Sequence, residues 1–349
     1  MNITQAELRA ATAAAGVSDE QTDRIWAALG RHAAADGKPR FDVANVAYYL
    51  GALVVIGAMG WFMNKAWDGM GGPGLAAVAA CYAVCFVLGG RTLWSQGYRI
   101  PGGLLFTVAV CMVPLATFGI ERWTGYWPAT DPGSFADFHP YINGSWVIME
   151  AATIVAGLVA LRFWRFPFLT APIAYSLWYM SMDLADLMSG HRLGDWHARE
   201  EITMVFGFAM LLLTYGVDLR GGDQDFTFWG YLFGLLAFWG GLSSLDSHSE
   251  LEKFVYCLIN LALIACSLLL RRRAFIVFGA LGFFGYLGHL AYRVFEDSIL
   301  FPFALSLLGI AIIYLGLQYQ RRKVLVDAYV RAEVLPRLHG LVPPRVLAD

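Results

Sequence analysis

Apolar residues in this chain run in long unbroken blocks separated by short polar stretches. A helix needs about 20 mainly apolar residues to cross the hydrocarbon core of a bilayer. The first such block is VANVAYYLGALVVIGAMGWFM, 43–63. Others cover 72–89, 102–119, 145–161, 166–184, 202–217, 227–243, 254–270, 274–292 and 299–318. The pattern predicts an all-α fold: a polytopic transmembrane helix bundle of about ten spans over residues 43–320.

The flanks read differently. Residues 1–42 are polar and predict a cytoplasmic helical hairpin. Its first helix starts at Asn2 or Thr4, runs through Ala14 and ends near Gly16. Ser18 and Gln21 have the spacing of a capping box for the second helix. Ile25, Trp26 and Leu29 share a face there, and Asp36-Gly37-Lys38-Pro39 is a turn. A hairpin this small has no core of its own, so it is expected to rest on the membrane, the bundle or a second subunit. Residues 321–349 form a partly helical cytoplasmic tail, limited by Pro336 and the Pro343-Pro344 pair.

Charge orients the bundle. Cytoplasmic connections carry an excess of Lys and Arg. With the N-terminus inside, the inner loops hold Arg91 and Arg99, Arg162 and Arg165, and Arg271 to Arg273, and Arg321, Arg322 and Lys323 follow the last span. The outer loops hold Glu121 with Asp131 and Asp137, then Asp246, Glu250 and Glu252, then Glu296 and Asp297. Both termini are therefore expected in the cytoplasm. One inner loop breaks the pattern: Arg220 sits among Asp218, Asp223 and Asp225.

Composition agrees with the blocks. The chain has 349 residues, 58% hydrophobic and 15% charged, where soluble domains carry about 25% charged residues. A net charge of -2 points away from nucleic acid as a partner. The N-terminus lacks an apolar core after a basic start, so the first span is expected to direct insertion. Cys81, Cys85, Cys111, Cys257 and Cys266 all fall in apolar runs and read as small buried residues of packed helices.

Sequence motifs add little chemistry. No P-loop, HExxH, GxSxG or haem CxxCH occurs, and no cofactor is expected. Gly69 to Gly74, GMGGPG, matches GxGxxG but follows no strand and reads as a loop. Gly279, Gly282, Gly285 and Gly288 recur every third residue, a stripe suited to close helix approach. Pro114 lies inside the third span and predicts a kink near Val110.

Ionisable residues at membrane depth are costly and tend to face one another or a cavity. Asp183 and Asp186 lie near the outer end of span five, three apart on one face. Glu150 lies near the outer end of span four, and His289 and Arg293, four apart, near that of span nine. These five residues form the candidate ion- or proton-coupling site. Competing readings are a metal site from His191, Asp195, His197 and His248, a membrane hydrolase using an Asp/His set, and ordinary polar helix ends with one Asp paired to Arg293. No catalytic residue is assigned.

GVSDEQTDRIWAALGR followed by VAYYLGALVVIGAMGWFM, within residues 16–63, and FPFALSLLGIAIIYLGLQYQRR, 301–322, resemble the bacterial membrane proteins grouped as DUF2157. That resemblance implies a multi-pass protein of the bacterial inner (plasma) membrane and carries no activity with it. The sequence thus indicates an integral membrane protein with a structural, sensing or assembly role. The alternative is a transporter or permease with an outer-side carboxylate/His site for proton or cation coupling. Expected partners are membrane lipid, a second copy or another membrane protein, and a small ion or solute.

Overall fold

The computed structural model describes residues 5–26, 43–66, 70–127, 144–188, 196–221, 224–245, 249–294, 300–329 and 342–344. Regular structure among the described residues is entirely helical. In chain order the helices are α1 (Gln5–Ala14), α2 (19–26), α3 (Val43–Ala66), α4 (Gly71–Ser95), α5 (Arg99–Cys111) and α6 (Val113–Thr124). They continue as α7 (Gly144–Phe163), α8 (Thr170–Met188), α9 (Trp196–Leu219), α10 (Phe228–Ser244), α11 (Glu250–Leu270), α12 (Arg273–His289) and α13 (Phe301–Tyr329).

The chain forms two compact units, Met1–Gly51 and Ala52–Asp349. In the first, Gly16 takes a left-handed φ of 73° where α1 ends. Ser18 Oγ then accepts from the Gln21 N–H at 3.3 Å. Gln21 Oε1 accepts from the Ser18 N–H at 3.3 Å, completing the expected capping box. The buried Thr22 hydroxyl donates to Thr12 Oγ1 at 2.9 Å, and Arg9 pairs with Asp23 at 2.7 Å, so α1 and α2 are buttoned together.

In the second unit the helices form a bundle. Each apolar block of the sequence lies on a helix, but a helix is not automatically a span. Among the described residues, 6 helical stretches are long and apolar enough to cross a membrane: Val43–Phe62, Gly71–Ser95, Arg99–Thr124, Trp146–Phe163, Glu200–Leu219 and Glu250–Leu270. Only six of the ten expected spans meet that test. Helices α10 and α12 have 17 residues each, about 25 Å at 1.5 Å per residue, against a core of about 30 Å. Helix α8 carries Asp183 and Asp186 in its last turns. Helix α13 runs on from apolar sequence into Arg321, Arg322 and Lys323.

Among the described residues, two apolar cores stand out. Leu75 and Ala79 of α4 meet Leu115 and Phe118 of α6 and Met149 of α7. Leu211 of α9, Tyr231 and Leu235 of α10, Leu263 of α11 and Phe275 and Phe278 of α12 form the other. Helix α8 packs on α7 on one side and on α9 and α10 on the other, so it joins the two.

Local sequence explains the main irregularities. The break between α5 and α6 falls at Met112, beside the expected kink. Pro114 has no N–H for the Val110 carbonyl, and its ring crowds that turn. The Met112 N–H bonds the Ala109 carbonyl at 3.2 Å instead. Cys81 and Cys85 are exposed, a correction to their reading as buried. Helix α4 packs through Gly72, Leu75, Ala79 and Gly90, and Cys81 lies about 200° around the helix from Ala79. The glycine stripe divides. A Cβ on Gly282 would lie 2.0 Å from Asn260 Oδ1 and one on Gly279 2.6 Å from the Asn260 carbonyl, whereas Gly285 and Gly288 face open space.

Candidate functional site

Helix α7 buries Glu150, Thr153, Gly157 and Ala160, a three-four-three spacing that marks one face. That face meets α8. A Cβ on Gly157 would sit 2.5 Å from Ile173 Cγ1, so the helices touch closely there. They are joined by the short 164–169 connection and run antiparallel, and away from that contact Glu150 comes to Asp183. Glu150 is 7% exposed and Asp183 4%. The two carboxyls interact directly, and both Glu150 oxygens are buried without an aligned donor.

The neighbouring hydroxyls are committed elsewhere. Thr153 donates to the Met149 carbonyl at 2.7 Å and Ser181 to the Trp178 carbonyl at 2.6 Å, each within its own helix. The Tyr175 phenol lies within the field of Glu150. Two carboxylates at contact repel, and a proton or a small cation between them removes the repulsion. The arrangement can therefore take up one positive charge.

The other members of the expected set lie elsewhere. Asp186 is on α8 one turn beyond Asp183, and its side chain falls outside the described residues. His289 of α12 places Nε2 3.1 Å from Glu250 Oε2 of α11. Lys253 Nζ reaches the other oxygen of Glu250 at 2.9 Å. His289 thus ties α12 to α11. Arg293 is exposed on the π-helical stretch Leu290–Val294. For the metal reading, His191, Asp195 and His248 lie outside the described residues, as does the His197 side chain. No group of three or more His, Cys, Asp or Glu able to hold a metal occurs among the described residues.

Two features escaped the sequence reading. Glu121, expected in an outer loop, lies on α6 at 4% exposure with both carboxylate oxygens buried and unbonded. The apolar block ends at residue 119, whereas α6 continues to Thr124.

The second feature is a buried ion cluster at the other end of the bundle. Arg272, between α11 and α12, donates to Asp225 Oδ1 at 2.7 Å, to Asp225 Oδ2, to Thr227 Oγ1 and to Asp218 Oδ1 at 3.4 Å. Tyr231 donates to Asp218 Oδ2 at 3.0 Å and lies under the guanidinium, 5.2 Å from ring centroid to Cζ. The irregular charge of the loop near residue 220 was its signal. Asp218 is buried and Asp225 half-exposed, and both turn to an arginine 54 and 47 residues on. Beside this cluster, Gly221 at φ +69° lies against the ring of Pro344, and Val342 and Pro343 are buried.

No known family model matches the chain, and no curated protein or solved structure matches it. The likeness to DUF2157 proteins therefore stays a resemblance of pattern.

Proposed function

We propose that this is a proton- or cation-responsive protein of the bacterial inner membrane, with Glu150 and Asp183 as the responding pair. The observation that carries the reading is Glu150: a carboxylate buried in a helix interface, with no aligned donor, set against a second buried carboxylate. Maintaining such a pair is expensive in an apolar bundle, and ionisable groups kept at that cost are usually functional. Sensing and ion-coupled transport both use such a pair. The six helices that satisfy the length test support a multi-pass protein. In this proposal α8, α10, α12 and α13 also cross, giving ten spans with both termini in the cytoplasm. In support, α10 packs along α8 and α9, and α12 along α10 and α11.

The test is the thermal unfolding of the full-length protein in detergent, scanned over pH and over monovalent cation concentration, beside Glu150→Gln. Wild type should show a midpoint that depends on cation, or on pH above about 5, and Glu150→Gln should lose that part of the dependence. Identical profiles would sink the proposal. Reconstitution in vesicles under an imposed pH gradient then separates the two uses. Faster decay of the gradient with wild type than with Glu150→Gln means transport; equal decay means sensing.

A further inference from the structure

Four connections of the bundle lie at one end, and contacts among their residues show it. Phe106, about two turns into α5, lies 5.9 Å from Trp94 at the end of α4. It also stacks on Trp164 after α7, with ring centroids 4.0 Å apart. Phe168, just before α8, meets Trp229 at the start of α10, with centroids at 5.2 Å. Arg272 of the α11–α12 turn reaches Asp225 and Asp218 of the α9–α10 connection. The chain of contacts is continuous across all four connections.

The charges at that end are sorted. Asp218 is buried, and Arg272 pairs with it and with the half-exposed Asp225. Among the described residues at this end, Arg99, Arg162, Arg165, Arg220, Arg271 and Arg273 are exposed. Within the Arg271 to Arg273 triplet only the central residue turns in. Arg271 holds a left-handed φ of 50° as it ends α11. Arg99 lies over the Trp94 ring at 4.5 Å, which fixes a guanidinium beside an aromatic ring suited to the headgroup zone.

We propose that this end is a binding surface for anionic phospholipid headgroups of the adjoining leaflet. The chemistry matches on three counts. Guanidinium is always charged and forks onto phosphate oxygens in pairs. The arginines come from separate connections, so they ring the bundle rim at headgroup depth. Tryptophan occupies the same level and prefers the same zone. A polybasic rim gains attraction with each basic residue near an anionic surface.

The experiment follows thermal unfolding of the full-length protein in detergent micelles doped with phosphatidylglycerol or with zwitterionic phosphatidylcholine. Phosphatidylglycerol should raise the midpoint above the phosphatidylcholine value. Arg162→Gln/Arg165→Gln/Arg271→Gln/Arg273→Gln should lose roughly half or more of that gain, because most of the rim charge is removed. Arg293→Gln, away from this end, should keep all of it. Inorganic phosphate at equal concentration should give no gain, which separates a lipid surface from a free anion. For wild type alone, the gain should shrink as salt rises from about 0.1 M to about 1 M, where screening shortens from ~10 Å to ~3 Å. An equal gain in the fourfold variant overturns the proposal. If that variant does not fold, a salt-independent gain in wild type overturns it equally.

Discussion

Arg272 shows how one residue reorganises the chemistry around it. Burial alone would raise the Asp225 carboxyl. Hydrogen bonds and charge from Arg272, with the bonds from Thr227, outweigh burial and hold it below the usual carboxylate value. A carboxyl depressed in the folded state stabilises the fold above its unfolded value of about 3.9, and that contribution disappears as pH falls through the lower folded value. The unfolding midpoint of wild type should therefore drop below about pH 4, and Asp225→Asn should show a shallower drop. Acid scans of the two purified proteins would check this. The same comparison shows the reach of residue-level reading. Asp183 and Glu150 were legible because acids inside apolar blocks are conspicuous. The partner of Asp218 was not, because a contact spanning 54 residues leaves no local spacing to read.

Among the helices, the sequence was most informative where a local rule operates. The Ser18 capping box and the Pro114 break arise within a few residues of each other along the chain, and both are found. Helix lengths were underestimated for α4, α6, α9 and α11, where the helix continues through polar residues. In α11 the reason is another capping box, Ser249 with Glu252, whose Glu252 N–H donates to Ser249 Oγ at 3.2 Å and draws Glu250 to Lys253 into the helix. Periodicity placed the glycines of α12 on a stripe, but only tertiary packing decides which are needed. Gly282→Ala would press a methyl group into Asn260, whose side chain also accepts from Trp239 Nε1 at 3.1 Å. Overpacking of this kind should cost about 1–3 kcal/mol. Gly285→Ala, with nothing within 4 Å, should leave the unfolding midpoint unchanged or raise it slightly. Denaturation of both variants beside wild type would test the contrast.

For the whole molecule, the central property is its polarity from end to end. Buried carboxyls of α6, α7 and α8 lie toward one end, and exposed arginines crowd the other. In the proposed orientation the arginine end faces the cytoplasm. In a background without the five native cysteines, a membrane-impermeant maleimide should label Thr124→Cys on intact cells. It should reach Gln96→Cys and Arg271→Cys only after the membrane is opened. Labelling of Arg271→Cys from outside would reverse the assignment. The close backbone contacts have a further consequence for descent. A Cβ on Gly72 would lie 2.5 Å from the Gly119 carbonyl oxygen, and one on Gly119 2.6 Å from the Ala76 nitrogen. These are backbone atoms, so no side chain can move aside to admit a mutation. Over evolutionary time the apolar surface can drift freely among Leu, Ile, Val and Phe while these two positions stay glycine. Distant kin of this chain should be recognisable by that fixed pair, together with the Gly279 and Gly282 seat of Asn260, long after overall identity has faded.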